Sequence, residues 1–276
     1  VLLGLFGSLF CSAVSAQEAQ SGWKFSAMPY IWLPGIKADL KYGPPSGGSS
    51  SANVSADESD VLSNLQMAFM ITGEARKGPW SIATDYMYLD LGKIDSKVKS
   101  VDFNPGSGPV NVSTSQLGGD VESSFKGSIW TLAGGYSVVQ TPKMNIDVIA
   151  GFRYLGLEAT TNWALNTTVT GAHSGQTATF SRSGSVTQRD DIWAALIGTQ
   201  GRFVLGDSPW FANYYLDMGT GSSVFTWQGS AGLGYAFKWG DVVLDYRYLS
   251  YSQDGDKKLI DNLNFGGLGL GLNFRF

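Results

Sequence analysis

Apolar and polar residues alternate along most of this chain, and no stretch after Gln17 keeps a helical period. The last segment shows it most plainly. Leu268, Leu270, Leu272, Phe274 and Phe276 share one face, while Gly267, Gly269, Gly271, Asn273 and Arg275 share the other. A period of two places successive side chains on opposite faces of a strand. The same alternation predicts ten strands, at approximately 23–33, 64–76, 80–91, 128–139, 144–157, 192–204, 210–218, 225–238, 241–251 and 259–276. Each is near the ~9–11 residues a tilted strand needs to cross a bilayer.

The connections sort by length. Gly78-Pro79, Thr141-Pro142, Gly206-Asp207-Ser208-Pro209 and Trp239-Gly240 are tight turns. Between them come the long links 34–63, 92–127 and 158–191, then two shorter ones at 219–224 and 252–258. The long links are rich in Ser, Thr, Gly and Asn, which marks them as solvated. Short turns at one end and long loops at the other is the arrangement of an outer-membrane barrel, with the short turns periplasmic. A soluble sandwich has no reason to sort its loops this way. The expected fold is therefore all-β: a transmembrane, antiparallel, up-and-down β-barrel of about ten strands with long extracellular loops.

The tryptophans test the map independently. Trp23, Trp80, Trp210 and Trp239 fall at the periplasmic ends of these segments, and Trp32, Trp130, Trp193 and Trp227 at the opposite ends. Two belts of amphipathic rings at the headgroup levels are what a bilayer selects. Trp163 alone falls in a predicted loop.

Composition narrows the alternatives. Charged residues make up 15% of the 276 positions, against roughly 25% in an ordinary soluble domain. Mean hydropathy is −0.03, far below that of a bundle of membrane helices. The 13% aromatic content excludes a disordered chain. A net charge of −4 supplies no basic face for nucleic acid. Residues 1–16, VLLGLFGSLFCSAVSA, form an uncharged apolar run ending in small residues before Gln17-Glu18. They read as a signal peptide clipped at its own N-terminus. Residues 17–22 are then a periplasmic lead-in and 23–276 the barrel. Cys11 leaves with the signal, so no disulfide or thiolate metal site is expected in the mature chain.

With the apolar faces turned to lipid, strand parity sends Asp85, Asp147, Arg153, Arg202, Asp217, Asp245 and Arg247 into the lumen, together with Glu74 and Arg76. Lys24, Lys238 and Arg275 fall at the periplasmic rim. Asp85, Asp147, Arg202, Asp245 and Arg247 lie at similar depth, as one ring. Two readings stand side by side: a fixed salt-bridge network that fills a small barrel, or a charged constriction that selects solutes.

Catalytic motifs are thin. His173 is the only histidine, in a Ser/Gly-rich loop with no acid within ten residues on either side; a general base needs a partner to orient it. Gly267-Leu268-Gly269-Leu270-Gly271 lacks the following helix that a phosphate loop requires. Asp254-Gly255-Asp256 and Asp57-Glu58-Ser59-Asp60 lack the ligand spacing of a dedicated calcium site. No cofactor, metal or enzymatic activity is expected. A single helical turn around 59–64, with Val61 and Leu62 apolar, would tuck into the barrel mouth as a plug.

Two resemblances carry further expectations. Gly271-Leu272-Asn273-Phe274-Arg275-Phe276 resembles the C-terminal assembly signal of bacterial outer-membrane proteins, with Gly271, Phe274 and Phe276 as its marks. It implies periplasmic chaperones and the barrel assembly machinery as partners. Pro29-Tyr30-Ile31-Trp32-Leu33-Pro34-Gly35-Ile36 resembles the opening of a proteobacterial, porin-like family of outer-membrane β-barrels. Later landmarks are Glu74 to Trp80, Asp85 to Leu89, Gly151-Phe152-Arg153-Tyr154 and Tyr246-Arg247-Tyr248-Leu249. The resemblance implies fold and a Gram-negative outer-membrane location, with the lipid bilayer and lipopolysaccharide as neighbours, and assigns no substrate. The functions left are a narrow porin-like channel for small solutes, a closed structural or adhesive barrel presenting its loops, and an omptin-like hydrolase.

Overall fold

A computed structural model describes residues 22–42, 50–95, 119–170, 177–253 and 260–276. The expected signal peptide, the lead-in up to residue 21, His173 and Asp254-Gly255-Asp256 lie outside them. The strands are β1 (Lys24–Tyr42), β2 (Ser50–Ala56), β3 (Leu65–Lys77), β4 (Trp80–Asp95), β5 (Gly119–Gln140) and β6 (Met144–Thr170). They continue with β7 (Thr177–Val204), β8 (Trp210–Gly221), β9 (Val224–Ala236), β10 (Gly240–Gln253) and β11 (Ile260–Arg275). One helix, α1 (Glu58–Asn64), lies between β2 and β3.

Neighbours in sequence pair antiparallel around the sheet, and β11 pairs back onto β1 from Ser26↔Arg275 to Leu40↔Ile260. Phe276 completes the seal at the lower rim: its amide donates to the Phe25 carbonyl at 2.9 Å, and the Phe25 amide returns the bond at 3.2 Å. Ten strands thus make a closed ring, with β2 as a hairpin partner on the far end of β1. Pairing of β11 with β1 leaves no terminal strand with a free edge along its length, which hydrocarbon would penalise. The four turns end their hairpins as expected. Gly78 and Gly206 take φ of +57° and +66° there, a conformation that side chains with a Cβ resist.

Strands β5, β6 and β7 are longer than their sequence pattern predicts. The link at 158–191 is largely strand, residues 92–95 and 119–127 of the preceding long link are strand as well, and β6 and β7 run 27 and 28 residues. Trp163, expected in a loop, sits on β6 opposite Gly184 of β7. Polar alternation in solvated strands carries no apolar face, so it reads as loop in a one-dimensional pattern. Since ~9–11 residues cross a bilayer, the surplus stands clear of it as a ribbon.

The outer surface is apolar. Ile31, Ile82, Ile197, Leu233, Leu244 and Leu268 are each more than half exposed. Rings lock into two girdles. At the turn end, Trp80 meets Tyr136 edge-on at 4.8 Å, and Tyr235, Phe237, Trp239 and Phe274 follow one another at 4.6–5.6 Å. Trp23 stacks on Phe25, and Trp210 packs on Tyr235. At the loop end Phe152 lies between Trp130 and Trp193, and Trp227 packs on Tyr248. This is a transmembrane β-barrel. Trp32 departs from the expected belt. It shares the parity of Tyr30 and Ile36, points inward, is 3% exposed, and donates its indole N–H to the Gly267 carbonyl at 3.1 Å.

Three inward glycines share one role. A Cβ on Gly151 or Gly267 would lie 2.0 Å from the carbonyl oxygen of Leu132 or Leu33, and on Gly198 2.3 Å from that of Leu216. The wall coils too tightly at these points to admit a side chain. They are sites of curvature.

Candidate functional site

The lumen divides across its length. At the turn end lies a chamber of about 660 Å³, reaching the rim at Lys24, Arg275 and Phe276. The loop end is filled by an apolar core that includes Met87, Leu91, Leu155, Leu249, Tyr251 and Phe265, each buried to below 9% exposure. A cavity of about 60 Å³ lies within it.

The chamber charges do not form the expected ring. They separate into ion-pair clusters at different positions on the wall. Arg76 bridges Glu74 (Nε–Oε1, 2.8 Å) and Asp147, while Ser137 and Asn145 donate to Asp147 at 2.6 and 2.8 Å. Arg202 and Arg275 share Asp241 at 3.1 and 2.6 Å, and the Arg202 guanidinium lies 3.3 Å from the centre of the Phe211 ring. Asp241 is fully buried, and it was not among the residues singled out from the sequence. It shares the inward parity of Asp245 and Arg247 on β10, and cross-strand geometry supplies its two arginines.

A second pair of clusters closes the chamber. Arg247 bonds Asp85 at 3.0 Å and the Tyr30 hydroxyl at 3.1 Å; Tyr30 and Thr72 both donate to Asp85, at 2.6 and 3.2 Å. Arg247 also lies over the rings of Tyr30 and Trp32 at 4.9 and 5.6 Å. Deeper still, Arg153 and Asp217 form a bidentate pair with both side chains at 0% exposure. Every remaining donor direction of Arg153 is used. Thr131 accepts from Nε at 3.1 Å, Gln228 accepts at 3.2 Å and Thr226 at 3.4 Å, while Tyr215 donates to Asp217. A buried pair with its hydrogen bonds satisfied is tolerable, whereas one partner alone is not. Among the described residues Asp245 is the exception, an inward carboxylate without an ion-pair partner, facing the chamber between Gly232 and Gly269 of its neighbouring strands.

Helix α1 caps the opposite mouth. Its N-cap Asp57 accepts from the Asp60 amide at 2.9 Å and the Ser59 hydroxyl at 2.7 Å, and Asp60 accepts from the Asp57 amide at 3.2 Å. This reciprocal box starts the helix, and the Ser59 hydroxyl holds the Asp57 carboxyl below the ordinary carboxylate range. Val61 is buried to 1% and joins the apolar core, while Leu62 stays exposed. The Asp57-Glu58-Ser59-Asp60 cluster is thus a helix start.

Fold and site together define a closed transmembrane barrel with a polar chamber at one end and an apolar seal at the other. No protein-family model matches the chain, and no curated protein does. Solved structures overlap it loosely. The attachment invasion locus protein Ail of Yersinia pestis shares 11% identity over 93% of this chain and 100% of its own, with a TM-score of 0.31. Neisserial surface protein A shares 13% over 93% and 98%, with a TM-score of 0.26. The Pseudomonas putida toluene transporter TodX shares 9% over 93% and 89%, with a TM-score of 0.30. Overlaps this loose carry no weight for function, and the barrel stands on its own strand register.

Proposed function

We propose that this chain is a Gram-negative outer-membrane barrel, closed to polar solutes, that anchors the projecting strands β5–β7 at the cell surface. The turn end then faces the periplasm and the ribbon faces outward, as loop lengths in such barrels run. The observation that carries the reading is the dry outer half of the lumen. A polar solute entering the chamber meets the satisfied Arg153–Asp217 layer and then an apolar core that holds a cavity of about 60 Å³. Hydrophobic constrictions stop ions and water by dewetting. Purified protein in a planar bilayer is expected to give no steady conductance; open-channel steps at low voltage would overturn closure. The ribbon supports a surface role, since strands of 27 and 28 residues far exceed the span of the bilayer. Replacing residues 160–187 with a two-residue turn should leave a folded barrel and abolish any adhesion of expressing cells.

The narrow-channel reading keeps one specific support, the water-sized access to half of the lumen. It requires the apolar core to open, so Leu249→Asp should convert the silent barrel into a conducting one. Assembly through the C-terminal signal predicts that deleting Phe276 lowers outer-membrane yield, and removes the two backbone bonds to Phe25 as well.

A further inference from the structure

The wall has a seam. The β1–β3 ladder runs from Lys24↔Arg76 to Pro29↔Ile71 and stops there, while β2 takes over as partner only from Ile36↔Ala56. Between them, residues 30–35 of β1 have no strand partner on that side. In hydrocarbon an unpaired backbone donor costs several kcal/mol, yet the sequence leaves little here to satisfy. The Trp32 amide donates to the Met70 sulfur at 3.3 Å, where a ladder carbonyl would otherwise stand. Pro34 shares the parity of Trp32, so its nitrogen faces the same seam, and it has no N–H to lose. Neither residue therefore leaves an unmet amide donor in the gap.

At the level of Ile31 and Trp32 what flanks it is apolar on both faces of the wall, and only at its upper end does the Glu58 side chain come against Gly35. Outside, Ile31, Met67 and Phe69 are 63%, 57% and 50% exposed, and Phe69 packs against Tyr86 beside the loop-end girdle. Inside, Trp32, Pro34 and Met70 from the two seam strands line the 60 Å³ cavity, with Met87 and Phe265 behind them. We infer that the seam between β1 and β3 is a lateral portal through which the end of a lipid alkyl chain enters this cavity. Hydrocarbon chains are what the outer surface meets at that level, and they match a lining without charge. Size selects further. An apolar void of ~150 Å³ takes benzene, so a 60 Å³ cavity excludes a ring and holds the last few methylenes of a chain. The two methionines adapt their shape to such a guest more readily than branched residues do. The portal rests on the membrane reading and is independent of whether the lumen conducts.

The test is photolabelling in liposomes with a phospholipid carrying a diazirine at one acyl terminus, mapped by mass spectrometry. Inward Met87 and Phe265 should be labelled, together with outward Leu268. In an Ile31→Cys/Phe69→Cys variant on a Cys11→Ser background, the β1–β3 register continued by two residues places the pair across the seam. A short thiol-cleavable bifunctional reagent there should abolish labelling of Met87 and Phe265, leave Leu268 labelled, and be reversed by reductant. Recovery on reduction excludes misfolding as the cause. Labelling confined to outward residues in the unlinked barrel would overturn the portal, as would inward labelling that survives the cross-link. Absence of label on Leu268 too would overturn the membrane reading along with it.

Discussion

Two halves of one lumen obey the same strand parity and hold opposite chemistry. On β10, Asp241, Val243, Asp245 and Arg247 face inward toward the chamber, and Leu249 and Tyr251, next on the same face, belong to the apolar core. On β6, Asp147, Ile149 and Arg153 give way to Leu155 and Leu157. An inward face in a membrane barrel is therefore not a polar face by default. Where the wall leaves room for water, charges are kept, and all the described inward carboxylates there but Asp245 are paired. Where side chains from opposite walls meet, burial favours apolar groups, at ~1.5–3 kcal/mol for each large side chain fully buried. The Arg153–Asp217 pair marks the boundary, and it survives there only because its polar neighbours satisfy every donor.

This contrast ranks the effects of substitution. Asp217→Leu leaves Arg153 charged and dry, and should lose about 3–5 kcal/mol in urea unfolding followed by gel mobility, the largest single-site loss in the barrel. The double variant Arg153→Met/Asp217→Leu should recover most of it, because two apolar groups suit that layer better than one orphan charge. Leu155→Ala, wholly within the apolar half, should lose about 2–5 kcal/mol in the same assay and remain silent in a bilayer. In the chamber, Asn145→Ala removes one donor to Asp147 and should lose about 0.5–1.5 kcal/mol, since Arg76 and Ser137 still hold the carboxylate. On the short turns the Lys143–Asp207 pair is 62% and 92% exposed. Lys143→Ala should therefore change stability by less than about 1 kcal/mol, and less again at high salt. A chamber variant that proved as costly as Asp217→Leu would break the distinction between the two halves.

Much of this was legible in one dimension. Alternation placed the ten wall strands, and loop sorting placed the turns, because a half-buried strand repeats every two residues whatever its partners are. Inward parity of Asp85, Asp147, Arg153, Arg202, Asp217, Asp245 and Arg247 follows from the same rule. Trp32 was misassigned to a girdle because position along a strand was weighed above parity. Asp241 shares the inward parity of Asp245 and Arg247, which is the signal in the sequence that points to it. The partner of each charge was beyond reach: Arg76 and Asp147 are separated by three strand-to-strand steps, and only barrel curvature brings them together.

The linear order of residues thus settles which side of the wall each one occupies, since that depends on local backbone geometry alone. It says nothing of how far the opposite wall is. Whether inward side chains meet each other or meet water depends on diameter, shear and the tight coiling at Gly151, Gly198 and Gly267, which arise only when ten strands close. The sealed outer half, the chamber beneath it and the unpaired seam at Trp32 and Pro34 all belong to that closure.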